Sequence, residues 1–366
     1  MVKTDLLLNN SVRCLRLIRE AKRVFHLDLS GRTVLTEAAT GYYALTPMIA
    51  ALAGADQVYA LTRNSSYGSM QQARDLTLFL AQEWGVADRV EVLFSREDQR
   101  IGLADIITNL GFVRPIDASF LKKLKSTAVI SLMFETWEYR SEDLDLNECR
   151  ILQIPVLGTN EHHPDLRLFE YIGLIVLKLL FEIENEIFRS NIAVIGSGEF
   201  GEHVARSLSL VGAQTALIAP TMKDGLKTAK ARQIIQKTDV LVVVEHMSRN
   251  VLIGKHGEIT VDELSSLNPG LEIIHVCGGV DGEDLKAGGF RIHPNRIAPP
   301  GFMSVATDYL GPRPLVELHT AGLKIGEEMA RARTHGLSGE AAEHFVLQQT
   351  TLAQAFARPP QGETES

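Results

Sequence analysis

Gly196-Ser197-Gly198-Glu199-Phe200-Gly201 is the stretch whose residue types and spacing point most directly to chemistry. An apolar, β-branched run, Asn191–Ile195, leads into it; helical spacing follows from His203, and a second β-branched run, Gln214–Ile218, comes after. In that context each glycine has a reason. Gly196 permits a tight strand-to-helix turn, Gly198 lets the backbone approach a pyrophosphate, and Gly201 lets the helix pack close to the strand. The free N–H groups at the helix start then face the phosphates. The pattern predicts a dinucleotide site with Gly196, Ser197, Gly198, Glu199, Phe200 and Gly201 at its phosphates. A second strand that serves NAD is expected to end on a carboxylate, about 20 residues on, which accepts from the ribose hydroxyls. Here it runs into Ala219, Pro220 and Thr221, with Lys223 and Asp224 behind. Thr221 takes the ribose position, nothing repels a 2′-phosphate, and the cofactor is read as NAD or NADP. His246, after the run 240–244, is placed on the nicotinamide side.

Two other polar groups lie where an α/β fold puts its ligands, at the C-terminal ends of strands. Glu135 and Arg140 belong to the aromatic and acidic segment 134–140, directly after the run 128–133. His162 belongs to Glu161-His162-His163-Pro164-Asp165, before a helical stretch that Asp165 is expected to cap. Glu135 and His162 are candidate substrate contacts. Adjacent histidines point in different directions and no third ligand follows at a metal spacing, so no metal site is expected.

The elements that must position these residues alternate between short β-branched runs and helical patterns, the sign of parallel βαβ units. Strands are predicted at Thr33–Glu37, Gln57–Leu61, 89–94, 105–108, 128–133 and 154–157, with helices at 47–53, 69–84, 118–124 and 144–149. One long helix is predicted over 164–188. A second series follows, with strands at Asn191–Ile195, Gln214–Ile218, 240–244, 272–276 and 290–292, and helices at Gly198–Leu210, 226–236, Val261–Leu267 and 281–286. Helices at 322–333 and 339–357 close the chain. The fold class is therefore α/β, two Rossmann-like doubly wound domains joined by a long crossing helix. Residues 1–165 form an outer flavodoxin- or Rossmann-like domain completed by about 317–358. Residues 190–316 form the NAD(P)-binding domain, and the polar tail 359–366 is expected to be disordered.

Composition sets the outer bounds. With 366 residues, 45% of them hydrophobic and 22% charged, the chain fits about two globular domains. A net charge of −8 argues against a dominant nucleic-acid footprint. No run reaches the roughly 18 apolar residues of a membrane span. The N-terminal 1–23 reads as an amphipathic helix rather than a signal peptide, and Cys14, Cys149 and Cys277 are too scattered for a disulfide framework. No nucleic acid or membrane partner is expected, and the location is read as cytoplasmic.

With these elements in place, residues 100 to 335 resemble the D-2-hydroxyacid dehydrogenase superfamily, of the formate/glycerate dehydrogenase type. Ala104-Asp105-Ile106-Ile107, Ser119-Phe120-Leu121 with Leu124-Lys125, and Ile154-Pro155-Val156-Leu157-Gly158-Thr159-Asn160 look like its outer-domain steps. Phe169-Glu170-Tyr171-Ile172-Gly173 resembles the start of its crossing helix, and Thr238-Asp239-Val240 its "aDvv" strand. Ile274-His275-Val276-Cys277-Gly278-Gly279 stands at the "iN.aRG" step, and Leu318-His319-Thr320-Ala321-Gly322 is similar to the "PHiaG" signature. The resemblance implies hydride transfer between NAD(P) and a small substrate, a catalytic role for His319 as acid/base, cofactor contacts at Cys277 and Gly278, and a homodimer. The substrate-binding Arg of the family has no counterpart at Cys277-Gly278-Gly279, and its partner Glu would fall near Arg313; Arg296 and Arg313 are candidates to replace the guanidinium. The alternatives are a non-catalytic nucleotide-binding accessory or regulatory protein, and a methyl-donor or adenosylhomocysteine-type binding protein. The methyl-donor reading comes from 33–62, whose strand, Gly-turn, strand order around Gly41 looks like that of S-adenosylmethionine-dependent methyltransferases.

Overall fold

A computed structural model describes residues 2–220 and 225–356. The tail 359–366 and Thr221, Lys223 and Asp224 lie outside them. The strands are β1 Thr33–Glu37, β2 Gln57–Leu61, β3 Val90–Leu93, β4 Ile106–Thr108, β5 Val129–Ser131, β6 Val156–Thr159, β7 Asn191–Ile195, β8 Gln214–Ile218, β9 Val240–Val243, β10 Glu272–His275, β11 Arg291–His293 and β12 Ala353–Gln354. The chain divides into two compact units, 1–166 with 312–366, and 167–311. Each contains a mostly or wholly parallel sheet flanked by helices, so the fold is α/β with two Rossmann-like units.

The first unit has a sheet in the order β12-β6-β5-β4-β1-β2-β3, parallel throughout except for β12, which runs antiparallel to β6. The order reverses between β1 and β4, the doubly wound arrangement. Strands β1, β2, β4, β5 and β6 are buried along nearly their whole length, as expected of parallel strands covered on both faces, while β3 at the edge is half exposed. The helix Pro312–Thr334 lies on β4, β5 and β6. Two of its glycines, one turn apart, allow this: a Cβ built on Gly322 would stand 2.4 Å from Met133 Sδ, and one on Gly326 would stand 2.6 Å from Ile106 Cγ2. Ser131 Oγ donates to the Gly322 carbonyl in the same seam.

The second unit has a wholly parallel sheet in the order β11-β10-β9-β7-β8, reversing between β7 and β9. Apolar side chains of β7, β9 and β10 fill both faces, among them Ile192, Val194, Val240, Val242 and Ile274 on one side and Ala193, Ile195, Leu241, Val243 and Ile273 on the other.

Several predicted boundaries move, each for a local reason. The helix expected over 164–188 covers only Glu170–Glu182, and it packs inside the second unit against the helix Gly198–Leu210. Arg167 at φ +46° and Glu184 at φ +60° sit in the left-handed region, which a right-handed helix cannot contain. Asp165 is consequently not the cap, which falls at Phe169. The closing helix begins ten residues earlier than predicted because Pro312 and Pro314 fit a first turn, where no intrahelical N–H is needed. The last helix stops at Gln349, where Thr350 is extended, and the chain then forms β12 rather than continuing helical to 357. The N-terminal segment is two helices, Val2–Asn9 and Ser11–Val24, broken at Asn10.

Candidate functional site

The glycine-rich turn is built where the strand order of the second unit reverses. Strand β7 ends at Ile195 and the helix begins at Gly198, with Ser197 extended at its N-cap. A Cβ on Gly196 would stand 2.7 Å from Val244 Cγ2, and a Cβ on Gly201 would stand 2.6 Å from the Gly196 carbonyl oxygen. Both positions need glycine for close packing. Gly198 differs: it sits at φ +56° and a Cβ there would meet nothing within 4 Å. Its backbone therefore borders open space at a helix N-terminus, which is the cradle a pyrophosphate requires. These residues fit a dinucleotide. A Gly201→Ala variant should lose about 1–3 kcal/mol, because the backbone it meets cannot step aside as a side chain does. Urea unfolding monitored by circular dichroism would measure the loss; an unchanged midpoint would contradict the packing role.

On the other side of the strand reversal, the rings of Phe200 and His246 stack with centroids 4.0 Å apart. Burial holds the His246 imidazole below its ordinary pKa, so it is a neutral aromatic surface at pH 7. Glu199 is exposed at the helix start and Ser197 is buried. Cys277 and Gly278 are covered: a Cβ on Gly278 would stand 2.2 Å from the Ala298 and Pro299 carbonyl oxygens, and Gly278 N–H donates to Phe302 O at 2.8 Å. The segment 298–305 thus packs directly on the Cys277–Gly278 step. Arg296 is exposed in this unit.

Sequence reasoning passed over Glu245. Only 1% of it is exposed, and its Oε1 accepts from the N–H groups of Met247 (2.7 Å) and Ser248 (3.0 Å), while Oε2 is buried with no hydrogen-bond partner. The available signal was a charged residue directly after the apolar run 240–244, at the C-terminal end of a parallel strand.

In the first unit, His319 lies two turns inside the helix Pro312–Thr334 and is 3% exposed. Its Nδ1 is 2.7 Å from Thr46 Oγ1, and its ring packs on Tyr43 at 5.9 Å between centroids. Thr46 Oγ1 is also 3.4 Å from the Tyr43 carbonyl, a long separation for an O–H donor. The shorter pairing is better served if the hydroxyl donates to Nδ1, which leaves the ring hydrogen on Nε2. Burial pushes the imidazole down to about 3, so it is neutral at pH 7. Arg313 stands six positions earlier on this helix, about 120° around the axis. Its guanidinium pairs with Glu317 at 2.8 Å and Glu20 at 3.3 Å, so it is committed elsewhere.

Glu135 is buried between loops. Its Oε2 accepts from Trp137 Nε1 at 2.7 Å, and its Oε1 accepts from Glu161 N–H at 3.0 Å with His162 Nε2 at 3.7 Å. Two more carboxyls stand close by: burial, then the Glu135 charge, pushes Glu138 up to about 7, and burial raises Glu161 as well. Glu135 and His162 therefore do come together, as part of a structural link between the loops after β5 and β6. Among the described residues no group of three His, Cys, Asp or Glu side chains is arranged to hold a metal ion. No helix among them is long and apolar enough to cross a membrane.

No protein family matches the sequence, and no curated protein is similar to it in sequence. Solved structures are similar in fold. A dipicolinate synthase chain from Bacillus subtilis superposes with a TM-score of 0.51 at 12% identity, covering 84% of this chain and 99% of that one. The corresponding dipicolinate synthase chain from Bacillus halodurans gives 0.49 at 14% identity over 83% and 98%. The NAD-dependent formate dehydrogenase of Staphylococcus aureus, a complex with NAD, gives 0.45 at 14% identity over 75% and 95%. The likeness to the Bacillus subtilis chain shows the fold alone, α/β with two Rossmann-like units.

Proposed function

We propose that this chain is an NAD(P)-dependent oxidoreductase acting on a small substrate, with the dinucleotide held by the 167–311 unit. The observation that carries this reading is the turn 196–201: two glycines locked by packing and a third, Gly198, at φ +56° against open space at a helix N-terminus. Gly196, Ser197, Gly198 and the first helical N–H groups would hold the pyrophosphate, and the bound cofactor would supply the hydride. With no carboxylate among Ala219 and Pro220 after β8, the reading covers both NAD and NADP. His319 is the proton-exchanging candidate. As a neutral imidazole with its hydrogen on Nε2 it acts as a donor to a carbonyl oxygen rather than as a strong base, since a group with a pKa near 3 holds few protons at pH 7.

Differential scanning fluorimetry of the full chain tests the cofactor. A dinucleotide at 100 times its dissociation constant should stabilise by about 2.7 kcal/mol. No shift with NAD, NADH, NADP or NADPH would sink the reading, and a shift with S-adenosylmethionine alone would transfer it to a methyl-donor protein. A second reading, a nucleotide-binding protein without hydride transfer, is favoured by the enclosure of His319 and the engagement of Arg313 with Glu20 and Glu317. Loss of NAD(P)H turnover in His319→Ala with nucleotide binding intact supports the first reading. Absence of turnover in the wild-type chain against a panel of 2-keto acids supports the second.

The reading includes a homodimer and a cytoplasmic location. Phe181 and Leu210, 67% and 81% exposed on adjacent helices of the 167–311 unit, are large apolar side chains suited to a dimer interface. The three cysteines are free and buried, which suits a reducing compartment.

A further inference from the structure

Glu245 occupies a defined place beside the glycine-rich turn. Strands β7 and β9 run parallel with Ile195 opposite Val243, and Val244 N–H donates to the Ile195 carbonyl at 2.8 Å. One step further, Gly196 lies against Val244; the next residues on the two chains are Ser197 and Glu245. The Phe200 and His246 rings, stacked across the same gap, fix the backbone on both sides of it. The carboxylate thus stands at the strand reversal itself, on the β9 side.

Its hydrogen bonding is half complete. The two N–H groups of Met247 and Ser248 orient the carboxylate through Oε1, and Oε2 is enclosed without a donor. A desolvated carboxylate oxygen left without a donor is costly, and native structures rarely leave one without a reason. A phosphate offers only negative acceptors and cannot complete it, whereas a hydroxyl can donate to it. In a doubly wound sheet the adenosine half of a dinucleotide lies over the first two strands, β7 and β8 here, and the other half crosses to the far side of the reversal. The group that reaches β9 carries a ribose with two hydroxyl donors.

We infer that Glu245 binds the ribose hydroxyls of the nicotinamide half of the dinucleotide, a role that rests on the cofactor reading above. Since Oε2 is enclosed, a hydroxyl reaches it only as the loop 246–250 yields, and Met247, 58% exposed, is the large apolar side chain of that loop that faces solvent. Glu245 is then a residue that recognises the second ribose and is indifferent to the first.

Isothermal titration of the full chain with NADH and NADPH, and separately with ADP, which lacks the second ribose, separates the possibilities. Glu245→Leu removes the acceptor without leaving a buried charge, and Glu245→Gln keeps one acceptor oxygen. The expected result is at least a tenfold weakening of the dinucleotide in Glu245→Leu, a smaller one in Glu245→Gln, and ADP unchanged within about twofold, in line with the strength of a hydrogen bond to a charged group. Equal dinucleotide affinity in all three proteins, or parallel weakening of NADH and ADP, overturns the role of Glu245 while leaving the cofactor reading standing. Failure of the wild-type chain to bind either dinucleotide overturns both.

Discussion

Acidification from pH 7 to pH 5 is expected to cost the 1–166/312–366 unit about 2 kcal/mol through His319 alone, rising to about 4 kcal/mol by pH 3. The imidazole is buried against Tyr43 and Thr46, and burial lowers it from the ordinary 6.5 to about 3. The sign follows from which state takes the proton first. As pH falls below 6.5 the unfolded chain protonates this histidine and the folded chain does not, so the unfolded state gains; the loss ends only when the folded form protonates near 3. Replacing His319 with Gln, which can still pair with Thr46, should flatten this part of the profile even if it lowers stability at pH 7. Both tryptophans of the chain, Trp84 and Trp137, belong to this unit, so urea unfolding followed by tryptophan fluorescence reads it selectively. Equal acid slopes in wild type and His319→Gln would mean that the imidazole is reached by water in solution, and the enclosed site described above would be wrong.

The opposite dependence is expected at the end of β1. Glu37 is almost fully buried, its Oε2 accepts from Phe112 N–H at 2.9 Å, and burial raises its pKa from 4.5 to about 7. Here the unfolded chain gives up its proton first as pH rises. Stability is therefore lost from about 4.5 upward and levels off above about 7, a total of about 3 kcal/mol. Glu37→Gln keeps an acceptor for Phe112 and carries no charge. It should be the more stable protein at pH 8.5 by up to about 3 kcal/mol and near parity at pH 4.5, in the same fluorescence-detected urea titration. A constant difference across that range would show that the carboxyl is ionised without penalty, for instance through Arg63 or Arg114, whose charges act to lower it.

Both effects sit in the first unit, at the end of β1 and on the helix packed over the sheet, a region the sequence described only in part. Glu37 was legible as the end of a strand, and His319 as part of a short signature, but nothing local shows that one is a costly carboxyl and the other an enclosed imidazole. Those properties come from residues far along the chain: Phe112 lies 75 positions from Glu37, and Thr46 lies 273 from His319. Arg313 illustrates the same limit. The resemblance placed it near the family's partner-Glu position and made it a candidate to replace the missing guanidinium, while helical geometry turns it away from His319 and Glu20 engages it from 293 positions off.

What the sequence determined by itself was the alternation of strands and helices, since parallel strands buried on both faces must be continuous apolar runs. It also determined the glycine-rich turn, because Gly198 is required by its left-handed backbone and Gly201 by its close approach to Gly196 five residues earlier, while Gly196 answers in addition to Val244 of the neighbouring strand. The tertiary structure decided the rest. It set the length of the helix Glu170–Glu182, which ends where the backbone enters the left-handed region, and the length of Pro312–Thr334, whose internal glycines are packing residues rather than boundaries. It covered Cys277 and Gly278 with the segment 298–305, and it enclosed Glu245 just beyond the pairing of Val244 with Ile195. Period and spacing act over a few residues and can be read along a chain, whereas burial and hydrogen-bond satisfaction depend on which distant segments the fold brings against each group.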